Sequence, residues 1–298
     1  MSGFKSIGEV VDAEMNGKVR NYIWRKTPSQ TTTLGLWFDS SMSPGMPPPQ
    51  YYIGAITTAT ILRQSTDGGL YHGPSVSPSE KFLRRITTQA SAVTALPMNA
   101  ILCDYLMFYP FIDEGTTDEQ VMTNANTLTR YTDGKGVQVM AVATNAGTGG
   151  QQFFFTYTNS DGVSGRTSQT VTMNTSVAVG NVIGSNRAII NASNPFIGLQ
   201  DGDSGVRSIE SVTMLGIDTG LFALVLVKPL AQTCFREITV PYEKDFLVPT
   251  TDIVRIYDDA FLGFVCLPLG TLAATVLRGD LKVIWNYNNL KTKYNGWI

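Results

Sequence analysis

Charge is the scarcest ingredient of this 298-residue chain. Asp, Glu, Lys and Arg make up 15% of it, against a typical share of about 25%. The formal net charge is −2, and only Lys81-Phe82-Leu83-Arg84-Arg85 gathers three cations. Nucleic-acid binders neutralise phosphates with basic stripes, so no direct nucleic-acid partner is expected. A single histidine cannot supply a His-rich metal site. The three cysteines, Cys103, Cys234 and Cys266, lie far apart in apolar company and lack zinc-ligand spacing. They read as small core hydrophobes of a reduced, cytosolic chain. No metal and no cofactor are expected.

Long hydrophobic runs are missing too. The longest, Leu221 to Val227, falls well short of the roughly 20 residues of a membrane span. The first twenty residues contain Glu9, Asp12 and Glu14 and no apolar h-region, so no secretory leader and no membrane partner are expected. Without a leader, the glycosylation patterns Asn174-Thr175-Ser176 and Asn191-Ala192-Ser193 carry little meaning.

Neutral polar residues and glycine fill the deficit of charge. Hydrophobic residues stand at 43%, which excludes a disordered chain and provides a core without disulfides. Turn signals recur at Asp67-Gly68-Gly69, Asp133-Gly134, Asp161-Gly162, Asp201-Gly202 and Asp218-Thr219-Gly220. Between them lie short stretches rich in β-branched and aromatic residues: 101–111, 137–143, 152–158, 167–173, 177–183, 208–215, 221–227, 235–240, 253–257, 261–267 and 279–285. This pattern predicts an all-β jelly-roll or β-sandwich body over residues 51–298. One helix is expected at 78–91, from Ser77 as N-cap, Pro78 at the first helical position, Glu80 closing a capping box, and Phe82, Leu83 and Ile86 on one face. A second capping box, Thr116 to Glu119, predicts a short helical turn.

Residues 1–50 differ in texture. Thr31-Thr32-Thr33 leads into Leu34-Gly35-Leu36-Trp37-Phe38, and Pro47-Pro48-Pro49 follows. Consecutive prolines hold φ near −65° and favour an extended path. The stretch is read as an extended N-terminal arm leaving the body, with a strand packed on its own core as the alternative. The residues where arm meets body, Trp37, Phe38, Pro44, Pro47, Pro48, Pro49, Tyr51 and Tyr52, are the candidate assembly interface.

Catalytic patterns are sparse. Gly202-Asp203-Ser204-Gly205 coincides with the core of the chymotrypsin-like nucleophile motif, and His72 with Asp104 or Asp113 supplies the order His, Asp, Ser. Val206-Arg207 departs from the Gly-Pro that continues that pattern, and Leu70-Tyr71-His72 lacks its Ala-His-Cys context. Asp201 to Gly205 is also a favourable turn. As a calcium loop it fails, because Gly205 and Val212 stand where oxygen ligands are needed. The adjacent acids Asp113-Glu114 and Asp258-Asp259 point to opposite faces of a strand and are read as turn or edge residues. Gly147-Thr148-Gly149-Gly150 lacks the ending of a phosphate loop and is read as a hairpin tip. Tyr105, Phe108, Tyr109, Phe111 and Phe153-Phe154-Phe155 are core aromatics by default, or sugar platforms if exposed.

The stretch Leu36-Trp37-Phe38-Asp39-Ser40-Ser41-Met42-Ser43-Pro44-Gly45-Met46-Pro47-Pro48-Pro49-Gln50-Tyr51-Tyr52 resembles head-associated structural proteins of tailed bacteriophages. So do Tyr109-Pro110-Phe111-Ile112-Asp113 and Gly279-Asp280-Leu281-Lys282-Val283-Ile284-Trp285-Asn286. The resemblance implies a capsid decoration or cement protein, often jelly-roll and trimeric. It would be made in the host cytoplasm and carried on the virion exterior. Its partners would be the major capsid protein and copies of itself, with no small-molecule substrate. No site residue is carried over. A non-catalytic virion protein is the leading expectation. A receptor- or glycan-binding tail or fibre component is the alternative, and a chymotrypsin-like serine protease is the remote one.

Overall fold

The computed structural model describes residues 4, 6–28, 35–175, 177–184, 195–247, 254–270, 272 and 275–286. In chain order the elements are α1 (Ile7–Met15), β1 (Val19–Lys26), β2 (Phe38–Asp39), β3 (Gly45–Met46), β4 (Thr60–Ile61), α2 (Gln64–Asp67), β5 (Glu80–Ala90), β6 (Met98–Asp113), β7 (Gln120–Val121) and β8 (Gln138–Thr148). They continue with β9 (Gln152–Asn159), β10 (Arg166–Thr167), β11 (Val171–Thr172), β12 (Val206–Met214), β13 (Thr219–Phe235), β14 (Tyr242–Asp245), β15 (Val254–Ile256), β16 (Phe261–Leu267) and β17 (Leu277–Asn286).

The strands form three antiparallel sheets. The first runs β14-β5-β17-β1-β3, with β15 also on β5. The middle sheet runs β2-β16-β6-β13-β8, with β4 also on β6. The third runs β10-β9-β12-β7, with β11 also on β9. The two longest strands, β6 and β13, pair along the centre of the middle sheet. Each contains a proline, which has no N–H for the ladder and is tolerated in a sheet at a bulge. The pairing slips past Pro110-Phe111, and again beside Pro229.

One face of the middle sheet carries two cores end to end. At one end Leu102, Phe264 and Cys266 pack with Trp24, Ile86 and Leu281 of the first sheet. At the other, Tyr109, Val139 and Leu224 pack with Phe153, Phe155 and Val212 of the third. The opposite face, with Tyr105, Phe108, Val225 and Val265, is roofed by Trp37, Met42, Tyr52 and Val182. The molecule is thus two β-sandwiches sharing one long sheet, in keeping with the all-β sandwich expected. Side-chain alternation on β6 puts Asp104 on the two-core face, between Leu102 of one core and Leu106 of the other.

Several expectations are corrected. Residues 80–90 are a strand, not part of a helix at 78–91. The capping partners are used elsewhere: Glu80 pairs with Arg255 at 2.9 Å, and the Ser77 amide donates to Ser75 Oγ. Phe82 faces α1 while its neighbour Leu83 faces the first core, an alternation only a strand allows. A continuous ladder to β17 outweighs a local cap, as tertiary pairing overrides weak propensity. Thr116 to Glu119 is not helical either; Thr116 Oγ accepts from the Asp118 amide in a turn.

The N-terminal region is not an extended arm leaving the body. β1 lies inside the first sheet between β17 and β3, and α1 packs Val10 and Ala13 over Phe82 and Ile284. The packed-strand alternative describes it. β1 completes the sheet that buries Trp24, and that burial holds it there. Gly147 to Gly150 is not a hairpin tip, because β8 pairs with β13 and β9 pairs with β12; it is a crossover between sheets. Residues 177–183 make isolated bridges in place of a strand. β13 ends at Phe235, with no strand over 236–240. Thr31-Thr32-Thr33, Ser176, Asn191-Ala192-Ser193 and Ile253 lie outside the described residues.

Candidate functional site

The segment from Trp37 to Ile56 presents two different faces. Trp37, Phe38, Met42 and Tyr52 point inward and are buried. Between them Asp39, fully buried, accepts from the Ser41 amide at 2.9 Å, from Ser41 Oγ at 2.8 Å, from Tyr105 Oη at 2.8 Å and from Tyr52 Oη. Burial raises the Asp39 carboxyl above its ordinary range, and these donors pull it back. Ser40 Oγ donates to the Phe264 carbonyl at 2.7 Å, tying the segment to β16. Lys26, buried at the end of β1, donates to the carbonyls of Ser43 and Pro47 at 3.1 and 3.0 Å, with those of Ser41 and Pro48 at 3.3 Å. Burial lowers its pKa to about 8, and Asp39 opposes that fall. The proline-rich run is thereby fixed along a backbone that cannot donate for itself.

The outward face of the same stretch is apolar. Ile53 and Ile56 are each 72% exposed, Met46 is 59% and Tyr51 is 46%; Pro48 is exposed beside them. The sequence-based interface set is therefore split. Trp37, Phe38 and Tyr52 are core, Pro44, Pro47 and Pro49 are half-buried, and Pro48 and Tyr51 remain on the surface. Met46, Ile53 and Ile56 were missed. No periodic signal marks them: Tyr52 sits at φ +54°, so the alternation of an extended strand does not run through this segment.

The catalytic pattern does not assemble. Ser204 Oγ bonds Ser160 Oγ at 2.8 Å. Both ring nitrogens of buried His72 are engaged, Nε2 by the Ala260 carbonyl at 2.9 Å and Nδ1 by Lys81 Nζ at 3.2 Å. Burial, then the Lys81 charge, lowers its pKa to about 4. Asp104 is bound to Arg130, and Asp113 accepts from the Gly115 amide. Asp203 is held by Arg166 Nε at 2.9 Å, Tyr157 Oη at 2.6 Å and Asn159 Nδ2 at 2.7 Å. The motif is a polar-locked turn.

The basic cluster is likewise absorbed. A bulge in β5 beside Leu83 leaves Arg84 to bond Asp245 and Glu14 while Arg85 reaches Glu243 and Asp280. Among the described residues no group of His, Cys, Asp and Glu could hold a metal ion. No helix there is long and apolar enough to cross a membrane. The sugar-platform aromatics are mostly core: Tyr105, Phe108, Tyr109, Phe153 and Phe155 are buried.

Two features had no sequence signal beyond a turn. The first is Glu114, just past the end of β6. Its side chain is buried, and Oε2 has no hydrogen-bond partner among the described residues. A Cβ on Gly220 would fall 2.8 Å from that oxygen, and one on Gly147 3.1 Å from it, so the glycines make room for the carboxyl. Asp218 Oδ2 nearby is also buried and has no hydrogen-bond partner among the described residues. Burial first, then the charges of Asp218 and Asp113, raise the Glu114 pKa to about 8.

The second is a cleft of about 560 Å³ at the seam between the two sandwiches, lined by Thr129, Arg130, Tyr131, Thr132, Lys135 and Tyr257 with Asp133. Arg130 is its floor. Nε and Nη2 each donate to Asp104 at 2.9 Å, and Nη2 also serves the carbonyls of Leu62 and Tyr105 at 3.0 Å. Tyr131 packs on the core of the third sheet and Tyr257 on that of the first. Their rings meet edge to face at 5.0 Å. Lys228 Nζ lies 5.5 Å over the Tyr131 ring, and the Arg255 guanidinium 4.5 Å over that of Tyr257.

No family model matches this chain, no curated protein does, and no solved structure does.

Proposed function

We propose that the chain is a structural subunit of a virus particle, a capsid decoration or cement protein that stabilises contacts between neighbouring capsid subunits. The observation that carries the reading is the apolar ridge of Met46, Tyr51, Ile53 and Ile56, exposed on a segment whose inner side chains are pinned to the core. Clustered exposed apolar residues mark interaction surfaces. Pinning them in advance lowers the ordering cost of association. The low charge of the chain suits interface centres, which are depleted of charged groups. The resemblance of residues 36–52 to phage head proteins supplies the partners: copies of this chain and the major capsid protein.

The triple variant Tyr51→Ser, Ile53→Ser, Ile56→Ser tests it. It is expected to lose self-association in sedimentation and to lose capture by capsids lacking the protein. Its unfolding free energy from urea titration should stay within about 0.5 kcal/mol of the parent's, because exposed side chains contribute little to folding. A variant that assembles like the parent would overturn the reading.

A further inference from the structure

The ridge does not account for the seam cleft, with which it shares no residue. Three features set the cleft apart. Tyr131 sits at φ +49°, a left-handed conformation that costs a non-glycine residue free energy. Among the described residues no side-chain hydrogen bond of its own offsets that cost. The conformation turns Arg130 inward to Asp104 and Tyr131 toward Tyr257.

The cleft is also rich in donors and open aromatic edges. Arg130 uses Nε and Nη2 on the protein, which leaves Nη1 for the cleft. Lys135 and Lys228 have no carboxylate within ion-pair distance among the described residues; Lys228 Nζ instead donates to the Lys135 carbonyl at 2.9 Å. Asp133 is the one acid in the lining, with Oδ1 accepting from the Lys135 amide. The balance is positive. Finally, the volume is that of a small-molecule site, a range of about 300–1,000 Å³, placed where two packed units meet.

Tyrosine rings, threonine hydroxyls and unpaired cations together fit a ring that is apolar on one face, hydroxylated at its rim and negatively charged. We propose that this cleft binds a carboxylated sugar unit of an acidic glycan. The carboxylate sits between Lys135 and Arg130 Nη1, and the sugar face lies against Tyr257. With Nε and Nη2 locked on Asp104, the guanidinium is held rigid and Nη1 meets the carboxylate as a charge-assisted donor at little entropic cost. This gives the chain a ligand site distinct from its apolar ridge.

The test titrates the full chain with glucuronic acid, glucose and inorganic phosphate, followed by calorimetry and by tyrosine fluorescence. Glucuronic acid is expected to saturate, with glucose and phosphate each at least about tenfold weaker. Lys135→Gln, at an exposed position, and Tyr257→Ala should each weaken glucuronic acid by about tenfold. Tyr257→Phe keeps the ring and should bind like the parent, which separates loss of the site from loss of fold. Phosphate binding as tightly as the sugar acid would overturn the proposal in favour of a plain anion site. So would the absence of saturation by glucuronic acid, or parent-like binding by Lys135→Gln.

Discussion

Replacing Arg130 by alanine is expected to cost the folded chain about 3–5 kcal/mol, the usual penalty for stranding one member of a buried ion pair. Asp104 is wholly buried between the two cores, and Arg130 meets both of its oxygens. The same guanidinium also donates to the carbonyls of Leu62 and Tyr105, so three buried groups lose a donor at once. The loss depends on pH with a definite sign. Burial raises the Asp104 pKa to about 6, with Arg130 holding it down. The folded chain therefore binds more protons than the unfolded one between about pH 4 and pH 6, and this group's contribution weakens as pH rises across that window. Without Arg130 the window extends upward, so the gap between parent and variant opens above about pH 6 and widens towards pH 8. Urea unfolding at several pH values measures it. Asp104→Leu with Arg130→Met should recover most of the loss, since paired apolar replacement of a buried ion pair is often neutral. A pH-independent difference below about 1 kcal/mol would show that the pair is solvated.

Glu114→Gln is expected to act in the opposite direction and stabilise the fold. The Glu114 pKa is raised from 4.5 to about 8. Across that interval the folded chain holds a proton that the unfolded chain releases, so stability falls as pH rises from 4.5 and levels off above 8. At pH 7 the cost is about 3 kcal/mol. Glutamine keeps the shape and needs no proton. The gain should be absent at pH 4, reach about 3 kcal/mol at pH 7 and grow until pH 8. The Glu114 carboxyl sits against Gly147 of β8 and Gly220 of β13, so the effect belongs to the rim where β6, β8 and β13 end. Equal stability of parent and variant at pH 8 would mean that the carboxyl is ionised and hydrated in the fold.

Much of the fold was legible in the residues themselves. Recurrent Asp-Gly turns and β-branched runs placed 261–267 correctly and put 101–111 and 221–227 inside longer strands. The apolar settings of Cys103 and Cys266 foretold their burial, whereas Cys234, expected in the core with them, is only half-buried. The split among Phe153, Phe154 and Phe155 follows the same period-two rule, with the outer pair buried and the middle one half-buried.

What went astray did so where a distant partner outranked a local signal. Ser77, Pro78 and Glu80 spell a helix start, yet β17, almost two hundred residues away, makes residues 80–90 a strand. Prolines 47–49 spell a free arm, yet the Lys26 ammonium takes the carbonyls of Pro47 and Pro48.

The sequence by itself determined that this is a β-built chain whose catalytic-looking motif lies in a turn. Both follow from local rules: strand period, turn chemistry and composition. Only the tertiary structure decided which face of residues 37–56 meets solvent. The same holds for the meeting of Arg130, Asp104, Tyr131, Tyr257 and Lys228 in one seam. Those residues come from a loop, a strand, the same loop, a turn and another strand. No periodicity links them; they are neighbours because two cores share one sheet and part company at Asp104.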